Sequence, residues 1–386
     1  MKGITNKVGP CVEDKDFFGR EAELASAWKK LEDGNSLILA APRRVGKTSF
    51  AKKIADIAEQ SGWTAIYLDL EGIKTEKEFV EYMIFMLQKC QHIFPRLKEG
   101  LKSLISYSKP SVTYKDVEVK FEMNFPKEDL FRKLNSILED IKDENLLIIC
   151  DELAIYLDYI ITDRQEVSNA DFFLNMLRSY RQIRHNSHRW IFCSSISIES
   201  FLERHGLSKS INDVERFRLD ELNPVEADGL LAALAESYNV EFPEAARSYL
   251  LARVGHALPY YIQLMFSELW NIKIMEAAPV IGKEDVDQAY EMLVQKQYLN
   301  TWAERLNDFP GKDLMRKVLN AIAKDSNGCS RDVLEMLFMG EDNANEVVSN
   351  ILTALINDGY IVRSRSGQYV FRSFLLRDYW YNKYIA

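Results

Sequence analysis

Apolar residues along this chain follow two rhythms, and the change from one to the other divides it. In the first part, short apolar runs stand at residues 37–40, 64–70, 146–150 and 190–193, with a more polar fifth at 216–222. Continuous runs of that length are expected of strands buried on both faces of a parallel sheet. Between them, apolar residues recur at helical spacing, as Leu24, Trp28 and Leu31, then Phe50, Ile54 and Ile57. Further helices are expected over 76–106, where Pro110 ends the pattern, over 128–141 and over 168–188. The alternation predicts an α/β fold with a central parallel sheet. One segment breaks the rhythm: Val117, Val119, Phe121 and Met123 alternate with polar neighbours. That two-residue period reads as a hairpin inserted near 111–124 at the sheet's edge.

From Asn223-Pro224 onward the period is helical throughout. Helices are expected over 225–238, 244–254, 259–271 and 283–297, forming a small all-α lid. Asp308-Phe309-Pro310-Gly311 reads as a linker. Three more helices follow at 312–323, 330–338 and 343–358. A two-stranded wing is expected at 360–363 and 368–372, turning at Ser366-Gly367. The expected domains are therefore an α/β core over 1–222, a helical lid over 223–309 and a winged-helix domain over 310–386.

A chain of 386 residues has ample material for two or three cores. The net charge of -9 argues against a generally basic nucleic-acid coat. The five cysteines are scattered, with neither metal-ligand nor disulfide spacing, which suits a reducing compartment. The N-terminal MKGITNKVGP lacks the apolar core of a signal peptide, and no apolar run approaches a membrane span. A cytoplasmic protein without membrane contact is expected.

The strand at 37–40 runs into APRRVGKTS, residues 41–49, just where a helix opens. This matches the phosphate-binding pattern G-x-x-x-x-G-K-[ST], with Ala41 in place of the first glycine. Successive backbone N–H groups and a helix N-terminus hold phosphate oxygens, and neither needs that first glycine. Pro42, Arg43, Arg44, Val45, Gly46 and Ser49 form the expected cradle. Gly46 gives the close approach, Lys47 reaches the β and γ phosphates, and Thr48 holds Mg2+. About a hundred residues on, LLIICDE ends an apolar strand in Asp151-Glu152, the second nucleotide signature, Walker B. Asp151 is expected to hold the Mg2+ shell through water, and Glu152 to orient the attacking water. A solvated carboxylate at a strand end is the plainer alternative for Glu152. At the tip of the run at 190–193, Ser195 is the candidate sensor of the γ-phosphate, with a turn-satisfying serine the plainer alternative.

The winged-helix pattern often belongs to DNA-binding proteins. Here the segment NANEVVSNILTALIND, where a recognition helix would lie, has no lysine or arginine, and only the wing is basic, with Arg363, Arg365 and Arg372. Phosphate contacts would need cations on or beside that helix. A protein-contact role is therefore expected ahead of DNA.

Together FFGRE, APRRVGKTS, LLIICDE, SSISI and the closing FRSFLLRDYW resemble the archaeal-type and bacterial ATPases of the STAND branch of the AAA+ relatives. The resemblance spans nearly the whole chain. It implies that Phe18, Gly19 and Arg20 lie against adenine and ribose, with Pro259 on the base's other side. It also implies ATP and Mg2+ as cofactors. No arginine takes the second-sensor position of AAA+ motors, which favours a slowly hydrolysing, nucleotide-gated switch whose lid and winged helix close over ATP. The expected partner is a protein or further copies of the chain. The other reading is a DNA-loading ATPase similar to origin-recognition proteins. Arg178, Arg181, Arg184, Arg204 and Arg216 are candidates for an arginine finger, with surface solvation the default. His256 reads as a turn or cap residue.

Overall fold

The computed structural model describes residues 3–90, 108–109, 113–114, 117–118, 122–123, 127–164, 166–195, 197–276, 279–295, 299–309, 311–340 and 343–386. They form two compact units. One holds Glu21–Ala40 and Lys47–Leu219. The other holds Met1–Arg20, Ala41–Gly46 and Asp220–Ala386.

The first unit is built on a five-stranded sheet. Its spatial order is Thr64–Asp69, Leu146–Asp151, His188–Phe192, Leu37–Ala40 and Glu215–Arg218. Every pairing is parallel. The strand Leu146–Asp151 is paired on both sides and buried along its whole length, as its unbroken apolar run requires. One strand, His188–Phe192, lies between it and Leu37–Ala40, the strand that leads into the phosphate loop. The polar fifth strand is one of the two edges, where Phe217 is buried and stacks on Phe50 at 5.8 Å.

Helices Glu21–Glu32, Lys47–Gln60, Glu76–Lys89, Lys127–Asp140 and Val167–Arg181 fill out this unit. Thr75 begins the third of these by accepting from Glu78 N–H. The expected continuation of that helix beyond 90 lies outside the described residues, as do Val119 and Phe121 of the expected hairpin. The backbone of Ser108–Lys109 pairs antiparallel with Glu122–Met123, and Thr113–Tyr114 with Val117–Glu118. These nested ladders are separate from the large sheet. One helix that periodicity did not announce, Leu153–Arg164, follows Glu152 directly. Leu153, Ala154, Tyr156, Leu157 and Ile160 are buried, and the exposed face sets Tyr159 beside Asp158 and Thr162, so that face is not a clean polar stripe.

The second unit is helical. Asn223 opens Pro224–Ser237 with a complete capping box, accepting from Glu226 N–H while the Glu226 side chain returns to the Asn223 backbone. Helices Glu244–Val254, Pro259–Lys273 and Lys283–Gln295 follow, then the short Asn300–Arg305. Helices Lys312–Ala323, Arg331–Met336 and Ala344–Asp358 lead to an antiparallel ladder of Ile361–Arg363 with Tyr369–Phe371. The final helix, Phe374–Tyr384, packs on Lys283–Gln295, and Tyr290 Oη donates to Asp378 at 2.7 Å. An aromatic core of Trp302, Tyr360 and Trp380 ties these pieces together. Trp302 and Tyr360 meet edge to face at 4.9 Å, and the Tyr360 hydroxyl donates to the Trp302 carbonyl at 2.7 Å.

Candidate functional site

In the sheet unit, the candidate residues gather at the carboxyl ends of the parallel strands, where open α/β sheets place their ligands. Asp151 is 4% exposed. Its Oδ2 accepts from Thr48 Oγ1 at 2.8 Å and from Tyr67 Oη at 2.5 Å, and its Oδ1 accepts from Glu152 N–H at 2.9 Å. Burial beside Asp151 pushes the Tyr67 phenol far above its ordinary value, so it stays protonated and remains a donor. Thr48 sits in the first turn of Lys47–Gln60, which is why its hydroxyl reaches the end of a strand paired two places away.

Glu152 takes a positive φ of 57°, uncommon for a residue with a side chain. Its Oε2 accepts from Ser194 Oγ at 3.0 Å and from Ser195 N–H at 2.8 Å. Burial raises the Glu152 carboxyl above its ordinary value, and the bond from Ser195 opposes that rise. Both serines thus meet Glu152, and sequence reasoning singled out only Ser195. Tyr67 was missed altogether, since a tyrosine inside TAIYLD reads as an ordinary strand residue.

The pair Thr48 and Asp151 offers oxygen alone, which suits Mg2+. Among the described residues no cluster of three or more His, Cys, Asp or Glu could hold a metal by itself. A site of this kind shares its ion with substrate phosphates, as Mg2+ commonly does.

The preceding residues, Ala41–Gly46, belong to the helical unit, and their contacts there are of another kind. Arg44, at φ 69°, places its guanidinium 4.2 Å over the Tyr260 ring. Arg43 stands 5.8 Å over Trp302. Burial, with Arg305 and Arg44 nearby, lowers the Arg43 pKa from its ordinary value. Gly359 ends helix Ala344–Asp358 at φ 91°, and a Cβ there would lie 3.1 Å from Arg43 N and from Pro42 Cβ. Asp358, one residue earlier, is 3% exposed and takes two bonds of 3.0 Å from Arg305.

Arg20 is buried and spends its guanidinium on backbone, donating to Val45 O at 3.1 Å and to Asp220 O at 2.9 Å. Its own N–H donates to Glu226 Oε1 at 2.6 Å. The adjacent Gly19 approaches Glu226 at φ 71°, and the Phe18 ring lies against Gly229. Pro259 occupies the first turn of Pro259–Lys273, immediately before Tyr260. His256, read as a turn residue, bonds Glu221 at 2.9 Å through Nδ1, and Arg372 donates to the same carboxylate at 3.1 Å.

The arginine-finger candidates divide on contact. Arg181 is buried and gripped by both oxygens of Asp213 at 2.9 Å, so surface solvation does not describe it. Arg178 donates to Lys209 O, and Arg216, 59% exposed, pairs with Glu199 at 3.0 Å.

The fold has solved counterparts. The Walker-type ATPase PABY2304 of Pyrococcus abyssi superposes with a TM-score of 0.66 at 16% identity, covering 97% of this chain and 99% of that one. The Aeropyrum pernix ORC2 protein, solved as ADPNP–ADP complexes, gives 0.58 at 12% identity over 95% of each chain. Comparison with curated protein sequences returns no match. The fold shared with these structures is that of an AAA+-type P-loop ATPase. The AAA-like domain family matches residues 17–330, most of the length, and the chain belongs to that family.

Proposed function

We propose that this protein is an ATP-binding, slowly hydrolysing switch of the STAND type, which reports its nucleotide state to a protein partner or to further copies of itself. The observation that carries the reading is the company kept by residues 41–46. They group with Asp220–Ala386, with Arg44 over Tyr260 and Pro42 against Gly359. A change in the loop on nucleotide binding would be felt directly by those helices.

In this reading the backbone of residues 42–46 cradles the phosphates, with Gly46 at φ 93° leaving the approach open. Lys47 neutralises the β and γ phosphates, and Ser49 lies in the same opening turn. Thr48 and Asp151 hold Mg2+, which when bound offsets charge on the phosphates. Glu152 takes the proton from the attacking water and is aimed by Ser194 and Ser195. The base lies against Phe18, Gly19 and Arg20 on one side and Pro259 on the other, as the family resemblance implies. Residues 223–309 are the lid and 310–386 the winged-helix domain, its wing the ladder at 361–371.

A second reading, an ATPase that loads onto DNA, is favoured by the likeness to the ORC2 protein over 95% of both chains. Against it stands helix Ala344–Asp358, which carries no cation. Size measurement with and without ATP and magnesium, on wild type and Glu152→Gln, tests the first reading. It is overturned if the protein neither binds nor hydrolyses ATP. A salt-dependent DNA-binding assay tests the second. Loss of affinity on replacing Arg363 and Arg365 supports it, and no binding at low salt removes it.

A further inference from the structure

We propose that Tyr67 is a positioning residue for the magnesium-site carboxylate, holding Asp151 Oδ2 in the orientation that faces Thr48. This rests on the nucleotide-site reading above and adds a residue that neither signature motif contains.

The geometry follows from strand pairing. Tyr67 stands opposite Ile149 in the parallel register, and Asp69 opposite Asp151. Side chains alternate along a strand, so Tyr67 and Asp151 share a face while Ile66 and Leu68 fill the other, buried to 0% exposure. Asp151 is therefore two residues forward of the position opposite Tyr67, a diagonal that a long aromatic side chain spans. The ring does not swing freely there. Lys52, from the helix that begins at Lys47, places its ammonium 5.5 Å over it.

Three of the donors to Asp151 are not equivalent. Glu152 N–H fixes Oδ1, while Thr48 and Tyr67 converge on Oδ2. Thr48 would hold Mg2+ through the same oxygen that now bonds Asp151, so that bond is one the bound state could give up. The Tyr67 bond has no such competing duty and keeps Oδ2 in place. Outer donors of this kind set the orientation of metal-site carboxylates, and their loss typically weakens metal affinity about 10- to 100-fold.

Tyr67→Phe keeps the ring and removes the donor. The readout is Mg2+ titration of the binding of a fluorescent ATP analogue, followed by anisotropy. Nucleotide affinity in EDTA should match wild type, while the Mg2+ concentration at half effect rises about tenfold. Mn2+ binding in the presence of ADP, counted by the spin resonance of the free ion, should weaken in the same ratio. An unchanged half-point overturns the proposal, and so does an equal loss with and without Mg2+, which would mark Tyr67 as merely structural. If wild type itself shows no Mg2+ dependence, the nucleotide-site reading fails and takes this proposal with it.

Discussion

The phosphate loop passes through two neighbourhoods of opposite character. From Lys47 onward it belongs to the sheet unit, where Thr48 meets a buried carboxylate and neutral hydroxyl donors. Its earlier residues belong to the helical unit, where two guanidiniums lie on aromatic faces. Short oxygen-lined bonds fix geometry to a few tenths of an ångström and suit chemistry. Cation–π contacts over tyrosine and tryptophan hold less rigidly, at about 0.5–2 kcal/mol each, and suit a contact that must be made and broken. Under the proposed function, one half of a single motif does chemistry and the other reports it.

The most damaging change should fall on the chemical half. Lys47→Ala is expected to abolish detectable ATP binding, measured by calorimetry, with the fold retained by circular dichroism. Glu152→Gln should still bind ATP but lose turnover by about 10²- to 10⁴-fold, the range for removing a positioned base. Phosphate release under saturating ATP measures it. Retained turnover would remove Glu152 from its role and leave Ser194 and Ser195 holding a structural carboxylate.

The two halves also differ in how much of them the sequence disclosed. Strand runs, the central parallel sheet with its flanking helices and the meeting of Thr48 with Asp151 were legible because parallel strands buried on both faces leave continuous apolar runs, and because the phosphate loop and Walker B are fixed patterns. Helix Leu153–Arg164 escaped because Tyr159 lies on its exposed face and Ile155 and Ile161 flank it, so apolar residues run round the helix and blur its period. Tyr67 escaped because its meaning lies in cross-strand register, which one chain segment does not display. The partners of Arg43 and Arg44 stand some two hundred residues or more along the chain, and tertiary packing alone brings them together. His256 was read locally, and its bond to Glu221 is a tertiary one.

The reporting half is tested more gently. Arg44→Ala should weaken ATP binding about fivefold, the scale of a coupling near 1 kcal/mol. It should also uncouple the helices. Hydrogen exchange of Pro259–Lys273 is expected to change on adding ATP to wild type and to stay constant in the variant. If exchange responds equally in both, the stacking on Tyr260 carries no report, and the contrast between the two halves of the loop collapses.

The smallest expected effect distinguishes the two units by acid. Glu221 lies wholly within the helical unit's own network, between His256 and Arg372. The hydrogen bond from His256, helped by the charge of Arg372, holds its carboxyl down to about 2, against an ordinary 4.5. A depressed carboxylate contributes stability that is fully present above its unfolded value and drains away as pH falls toward the folded one. The window therefore runs from about 4.5 down to about 2. Because the side chain is 30% exposed, solvent screening keeps the contribution to about 1 kcal/mol. Glu221→Gln should lower the melting temperature by a few degrees at pH 7, and the gap to wild type should close as pH falls through that window. The loss belongs to the helical unit, so exchange in Pro259–Lys273 should rise in the variant while Leu146–Asp151 keeps its protection. A gap that stays constant down to pH 2 would mean that the bonds to Glu221 do not depend on its charge.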